Sequence, residues 1–523
     1  VRSAVAEALP AGQQRRVVIC TVTLADGRTI RAATSPVLVS ADQGGPWLYD
    51  HHLDGIDDFT AELDLYSLDA TASLTQVRVG IAATDDIGAL AEANVPIAAA
   101  TAEVAYLWPG DPWEARVVLL AGSVQAAEIG RVGETTDFTI EAAPVVTSAV
   151  LGDDTRDVGT DYPPTLLDTN AVEMTDVTGE SYPIILGSPK SVAAFKVGNV
   201  GGTNRLVIAG HHLPGTGTVE VFKDGASDGT ETPANGSVTT GDIAYVSSAA
   251  KFFSADGTPP NQDGAYTVSF DQGGIACYDD KTRATKSAAD VMRWLLGNSG
   301  LRVDWRRMGR TLDLLASWPV GIAITSQTTH IDVARSLAKV LPIIEVPGSD
   351  GTWFAYTEIS SLPVEGALRL GHELVGGIGK MVVSDRDNVR NSFTINYWDD
   401  RFNGEFAESL TVDSTNHPLC AISADPHWYG EQAADVVESA AIWDAVTARR
   451  VLNAMADRQA LQHRSRSYVL APDAYYVAPG QLRPLYDSDY GVAGHLAYVR
   501  AVSVVAPLVV TLDLVDRSPA SAL

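Results

Sequence analysis

Cysteine is scarce in this chain: Cys20, Cys277 and Cys420 are the only three in 523 residues, far apart and odd in number. That spacing excludes a disulfide framework and a zinc site, both of which need paired or clustered thiols, and leaves buried free thiols as the expectation. Long apolar runs are missing as well. The longest, residues 97–108, is broken by Glu103 and bounded by Pro96 and Pro109. A helix that spans a membrane needs about 20 apolar residues in a row, so no span is expected. Residues 1–14 lack the apolar centre of a secretory signal; the initial Val fits a GTG start read literally, or a processed or trimmed end. Positive charge is also short, with 37 Lys and Arg against 65 Asp and Glu and a net charge of −28. A chain that reads nucleic acid needs a basic footprint to release counterions, so no sequence-specific nucleic-acid binding is expected.

What is present is apolar material for ordinary cores, 46% of the chain, and a length that suits three or four domains at roughly 100–200 residues each. Residues 1–145 read as antiparallel β. A β-branched run at 17–23 meets a hairpin turn at Asp26-Gly27 and returns at 29–34. A second unit at 113–120 is expected to turn near Gly122, pass through Val124 and reach the alternating strand of Phe138 and Ile140. Such short strands suggest a small barrel or sandwich. Residues 146–280 are rich in Gly, Thr, Asp and Pro, with short strands at 206–209, 219–222, 243–246 and 266–270. They read as a small β domain or a long decorated excursion.

Residues 281–360 carry a repeat of helix then hairpin. Ser287 and Asp290 form a capping pattern ahead of Val291, Trp294 and Leu295, with a stop at Gly297 or Gly300. A hairpin is expected at 301–305 and 311–315, turning at Met308-Gly309. The same order recurs with Thr329 and Asp332 before Val333, Leu337 and Val340, then strands 343–346 and 353–356 about a turn at 348–351. Residues 361–523 return to β. Phe393, Ile395 and Tyr397 alternate as a half-buried strand, and a helix at about 440–461 carries Val446, Val451, Leu452, Met455 and Leu461 on its apolar stripe. Strands are expected at 468–470, 482–486, 495–504 and 508–515. The fold class is therefore α+β, mainly β, in four parts: 1–145, 146–280, 281–360 and 361–523.

The chemical constellations fail one by one. His372-Glu373 has Gly376 where a zinc-protease helix needs its second His. His51-His52 and His211-His212 are adjacent, so on a strand they point apart; loop positions are the better reading. The carboxylate pairs Asp57-Asp58, Asp85-Asp86, Asp153-Asp154, Asp279-Asp280 and Asp399-Asp400 read as turn and loop-edge residues, since a glycosidase needs its two carboxylates facing across a sugar. Asp385, Asp387 and Asn388 offer oxygens to calcium but lack the Gly and distal Glu of a helix-loop-helix site. The run from Asp487 to Gly491, with Asp489, reads as a hairpin turn. Gly198, Gly201 and Gly202 have no Lys-Ser/Thr after them, so they are no phosphate loop. Gly225, Ser227 and Gly229 spell a nucleophile elbow, yet the helix it needs is replaced by Pro233, Asn235 and Gly236; a surface turn is the better reading. Arg449, Arg450, Arg458, Arg464 and Arg466 form a basic stretch expected to make salt bridges along the helix or to a neighbouring subunit. Trp398, Trp428 and Tyr429 are interface anchors or, equally, core. No residue is assigned a catalytic, cofactor-binding or metal role, and no cofactor or enzymatic activity is expected.

The C-terminal order carries a resemblance. A long helix with Ala448, Arg449 and Leu452 leads into Ser467-Tyr468-Val469-Leu470-Ala471-Pro472. Pro479-Gly480 then opens the apolar strand of Leu482 and Leu485, and the strand Tyr498-Val499-Arg500-Ala501-Val502-Ser503 and a last apolar strand complete it. Residues 387–399 look like the alternating strand that enters such a barrel, and residues 113–124 like the hairpin shared by hub and distal-tail proteins. Residues 1–145 and those after about 281 together resemble the baseplate hub and tail-tip proteins of long-tailed bacteriophages, also found in gene transfer agents. The Gly-rich part, 146–280, has no counterpart in that pattern. The resemblance implies two tube-like β-barrel domains per chain and a homotrimer forming a ring of six. Such a ring sits in the virion at the tail tip, is assembled in the host cytoplasm, and meets a distal tail or tail tube protein, the tape-measure protein and tail fibre or receptor-binding proteins. Acidity lining a channel would let DNA slide through; acidity spread over the outside is the other reading. The alternatives are a carbohydrate-binding adhesin that uses 146–280, or a glycan hydrolase that uses one of the acidic pairs.

Overall fold

The computed structural model describes residues 17–40, 46–49, 51–56, 60–62, 76–82, 97, 100–107, 110–130, 134–141, 150–151, 183–200, 203–214, 218–223, 226–238, 241–248, 266–271, 273–348, 351–358, 361–400, 405–471, 474, 477–503 and 509–514. The pairs at 57–58, 85–86 and 153–154, and Gly201, Gly202 and Gly225, lie outside them.

Seven N-terminal strands close into a barrel. They are β1 (Val17–Thr23), β2 (Thr29–Ala33), β3 (His51–Ile56), β4 (Gln76–Ala82), β5 (Thr101–Leu107), β6 (Val117–Glu128) and β7 (Thr135–Glu141), in the order β1-β2-β3-β4-β7-β6-β5 and back to β1. The expected hairpin is there: Thr23 faces Thr29, and Gly27 takes φ +86° in the turn, where a side chain would be strained. Closure leaves no sheet edge, and alternate residues fill the inside. Cys20, Val22, Val79, Ile81, Phe138 and Ile140 are all buried. The turn expected near Gly122 is absent. Gly122 pairs with Ala102 in mid-strand, and β6 runs on for 12 residues because Val124 continues the inward alternation against Ile140. The segment before it is also different: Pro112 starts a 3-10 turn at Trp113–Ala115 in place of a strand.

The Gly-rich region forms two four-stranded sheets. One joins Val192–Ala193, Tyr266–Phe270, Val219–Lys223 and Ala226–Glu231; the other joins Phe195–Val200, Thr203–Ala209, Gly241–Ser248 and Ala234–Val238. Val192, Leu206, Ile208, Val221, Val268 and Phe270 are buried in a core of their own. Two short ladders tie this region to strands nearer the C-terminus, Ile184–Gly187 with Gly321–Ile324 and Val150–Leu151 with Thr328–Thr329.

Helices α1 (Ala288–Asn298), α2 (Trp305–Leu315) and α3 (His330–Ala338) come next along the chain. Ser287 accepts from the Asp290 N–H while the Asp290 carboxylate accepts from the Ser287 N–H, completing the expected capping box. Thr329 caps α3 by accepting from the Asp332 N–H. The first expected hairpin is a helix instead. Asp304 caps it by accepting from the Arg307 N–H, and Met308, Thr311, Leu312 and Leu315 bury one face at helical spacing. The second hairpin forms as expected from Ile343–Gly348 and Gly351–Tyr356.

The C-terminal part is an open half-barrel ordered Leu368–Arg369, Leu482–Asp487, Val492–Ser503, Val509–Leu514, Arg464–Leu470 and Leu374–Val383. Beside it a small sheet orders Glu405–Val412, Phe393–Asp400 and Val437–Ser439, with α4 (Pro418–Ser423) and α5 (Ala445–Gln459) nearby. Helix α5 starts later than expected, because Asp444 caps it by accepting from the Thr447 N–H. Val446 therefore lies in its first turn, 72% exposed and off the stripe, while Val451, Leu452 and Met455 are buried. One N-terminal strand, Thr60–Glu62, leaves the barrel and pairs with Ala501–Ser503 of the half-barrel. The molecule is mainly β with few helices, one closed barrel and one half-barrel. Among the described residues no helix is long and apolar enough to cross a membrane.

Candidate functional site

The three cysteines are buried and unpaired, as their spacing indicated. Burial, with the nearby Glu103 carboxylate, pushes the Cys20 thiol up to about 12. Burial likewise raises Cys277 to about 11 and Cys420 to about 12. A thiol so far above neutral holds almost no thiolate for nucleophilic attack at neutral pH.

The histidine pairs fall differently. His51 and His52 lie in β3, not in a loop, in parallel register with Ala32 and Ala33. The His211 Nε2 accepts from the Ile185 N–H at 3.0 Å and so ties down the base of the Gly-rich region. His372-Glu373 forms a turn, where Glu373 accepts from the Arg369 N–H. Asp279 pairs with Arg293, and Asp280 holds Thr282 in a tight turn. Asp399 and Asp400 are the last two residues of their strand, so Asp400 stands at its edge. Asp385 spends its carboxylate on the Asp387 N–H at the start of a 3-10 turn. Ser227 sits in a strand, not a turn, and donates to Glu220 at 2.7 Å; the next element is another strand, so no elbow is built. Among the described residues no group of three or more His, Cys, Asp or Glu is placed to hold a metal ion.

The strongest polar constellation was only half visible in the sequence. Asp487 is fully buried at the end of its strand and receives the Arg466 guanidinium, the Tyr468 hydroxyl at 2.6 Å and the Asp489 N–H at 2.9 Å. Arg466 lies between the rings of Tyr468 and Tyr490, 5.1 and 4.3 Å from their centroids. Gly377 lets it in: a Cβ there would stand 2.0 Å from the guanidinium. Burial, with the hydrogen bond to Asp487, drives the Tyr468 hydroxyl up, so it stays protonated and donating. The cluster pins the turn at Ser488–Tyr490 to the sheet, and its charges are spent on one another, which leaves no reactive group.

Two of the remaining arginines are engaged within the chain by groups other than carboxylates. Arg450 lies 4.2 Å over the Trp318 ring and donates to Ser317; Arg458 is buried and donates to the Ala454 carbonyl. A second aromatic cluster closes one flank of the barrel. Trp113 meets Trp47 edge-on at 5.2 Å and lies under Arg116, whose guanidinium forks onto Glu103. Trp398 and Trp428 are exposed, not core, while Tyr429 donates to Gln462.

No family model and no curated protein matches this chain. Among solved structures, the chain is similar to the tail protein from Neisseria meningitidis MC58, at 12% identity over 64% of this chain and 96% of that one, with a TM-score of 0.28. It is similar to a chain of the virion of a native gene transfer agent particle, at 11% identity over 68% and 89%, with a TM-score of 0.40. A 43 kDa tail protein of prophage MuSo2 from Shewanella oneidensis matches at 12% identity over 66% and 96%, with a TM-score of 0.27.

Proposed function

We propose that the chain is a structural virion protein of a phage-type tail, a hub or tail-tip adaptor that joins the tail tube to host-recognition proteins. The observation that carries this reading is the pairing of a closed barrel and a half-barrel within one chain, tied by the strand Thr60–Glu62. A chain with two such units supplies six around a three-fold axis, which is what an adaptor between six-fold and three-fold parts needs. Closed symmetry also satisfies every complementary edge and stops open-ended growth. The net charge of −28 suits a conduit that DNA must traverse without adhering. In this reading the chain divides near residues 145, 280 and 360. Its neighbours are a tube or distal tail protein, the tape-measure protein and receptor-binding proteins, and its chemistry is non-catalytic.

One observation favours a second role. The two four-stranded sheets of the Gly-rich region have a separate core and only short ladders to the rest, the build of an appended recognition module. In an adhesin of that design, loss of this module abolishes adsorption.

The test is light scattering on the purified chain with negative-stain imaging of the product. A trimer with a central hole is expected. A monomer at every concentration overturns the hub and makes glycan binding the next assay.

A further inference from the structure

Charge is unevenly spread along this acidic chain. Residues 278–310 hold eight Lys and Arg against four Asp, whereas residues 402–448 hold eight Asp and Glu and no Lys or Arg. In the fold the two stretches lie on separate elements. The basic one lies on α1 and α2. Lys281, Lys286, Arg302 and Arg306 are exposed there, with no carboxylate partner among the described residues. Tyr278 and Trp305 stack beside them at 6.4 Å with about 40% of each residue exposed, and Gly297 makes room for the Tyr278 ring against α1. A cavity of about 390 Å³ between α1 and α2 lies beside them, lined by Arg283, Lys286 and Arg293 and also by Asp290 and Asp313, with Arg283 paired to Asp290 and Arg293 to Asp279.

The acidic surface is the small sheet of Phe393–Asp400, Glu405–Val412 and Val437–Ser439 with the loop leading into it. Glu405, Glu431, Asp435 and Glu438 are exposed there and also lack a cationic partner among the described residues. Trp398, Trp428 and Val436 stand exposed among them. Trp398 has φ +61°, a left-handed conformation costly for a bulky residue, held by its N–H donating to the Ile442 carbonyl at 2.9 Å. No ion pair joins the two surfaces within the chain among the described residues.

We propose that these two surfaces bind each other between copies: the basic face of one chain docks on the acidic face of the next. Each face brings exposed aromatic anchors within a charged rim, the arrangement in which desolvated rings hold a complex and charges select the partner. Because the faces differ, the contact is head-to-tail, and it grows into a ring when its rotation closes. The inference rests on the self-association proposed above and names its surfaces.

The experiment measures the mass of the full-length chain by sedimentation against salt, for the wild type and two variants. Arg302→Glu/Arg306→Glu reverses the basic face; Glu431→Lys/Glu438→Lys reverses the acidic one. All four residues are exposed, and circular dichroism checks that both variants fold. Each variant alone is expected to weaken association at least tenfold, and the wild type to weaken as salt rises toward about 0.5 M, where exposed charges are largely screened. Mixing the two variants restores pairwise association, since a contact between unlike variants again pairs opposite charges, whereas a closed ring of three made from the mixture still holds one like-charged contact. Variants that associate as the wild type does, or a mixture that stays apart, overturn the docking of these faces and leave self-association standing. A wild type that is monomeric at low salt and high concentration overturns both.

Discussion

His463 and His417 show how far a single residue can be read from sequence and where that stops. Burial holds His463 below its ordinary value, and the nearby Arg500 and Arg458 add to that, against the hydrogen bond to the Arg458 carbonyl. Burial lowers His417 as well, partly countered by Asp457. In the unfolded chain both titrate near an ordinary value of about 6.5, so between that value and their lower folded values the unfolded chain binds more protons. Their contribution to stability is therefore complete above about pH 6.5 and is lost as the pH falls through their folded values. Thermal unfolding followed from about pH 7.5 to 5 should show a falling midpoint, and His417→Gln/His463→Gln should flatten that slope. A slope unchanged in the double variant means the proton uptake lies elsewhere. Neither histidine stood out in the sequence, because burial by α5 and the strands beside it is a tertiary property. The turn at Asp487 to Gly491 was legible from its composition. Its partner Arg466, 21 residues earlier, was not, since only the fold brings the two strands together.

At the scale of elements, capping signals proved more informative than glycine. Ser287 and Thr329 each cap a helix expected from that signal, whereas the last helix was expected from its apolar stripe and begins later because Asp444 caps it. Helix α2 was missed because Met308-Gly309 looked like a turn, although Asp304 and the spacing of Met308, Leu312 and Leu315 carried the helical signal. Likewise Gly122 looked like a turn and lies in mid-strand, and Gly229 and Gly236 belong to strands. A glycine marks a turn only where the backbone uses its freedom, as Gly27 does. Gly309 offers a direct test. Nothing lies within 4 Å of a Cβ placed there, and its φ is not positive. Gly309→Ala should therefore stabilise the protein by about 1 kcal/mol, the ordinary gain in a helix interior. Denaturant unfolding that shows a loss instead would return this segment to the hairpin reading.

At the scale of the whole molecule, β-branched runs, turn signals and alternation located β1, β2, β7 and the half-barrel strands after residue 463 but gave no sign of β3, β4 or β5, and nothing in the sequence placed residues 60–62 beside residues 501–503. A pairing so distant along the chain leaves no local trace, because the hydrogen bonds are made by backbone that any residue supplies. The consequence reaches the core. Barrel residues such as Val79, Phe138 and Ile140 and half-barrel residues such as Tyr468, Val499 and Leu512 belong to one buried cluster. Apolar packing transmits a defect to its neighbours, so the two should open as one cooperative unit. Phe138→Ala removes a fully buried ring from the barrel side, at a cost of about 3–5 kcal/mol. Amide hydrogen exchange should then accelerate in β4 and β7 and, by a similar factor, in Arg464–Leu470 and Val509–Leu514, which the substitution does not touch. Acceleration confined to residues 17–141 would mean that the barrel opens alone and that the strand Thr60–Glu62 couples nothing. Joint acceleration would make the two ends of the chain a single cooperative unit.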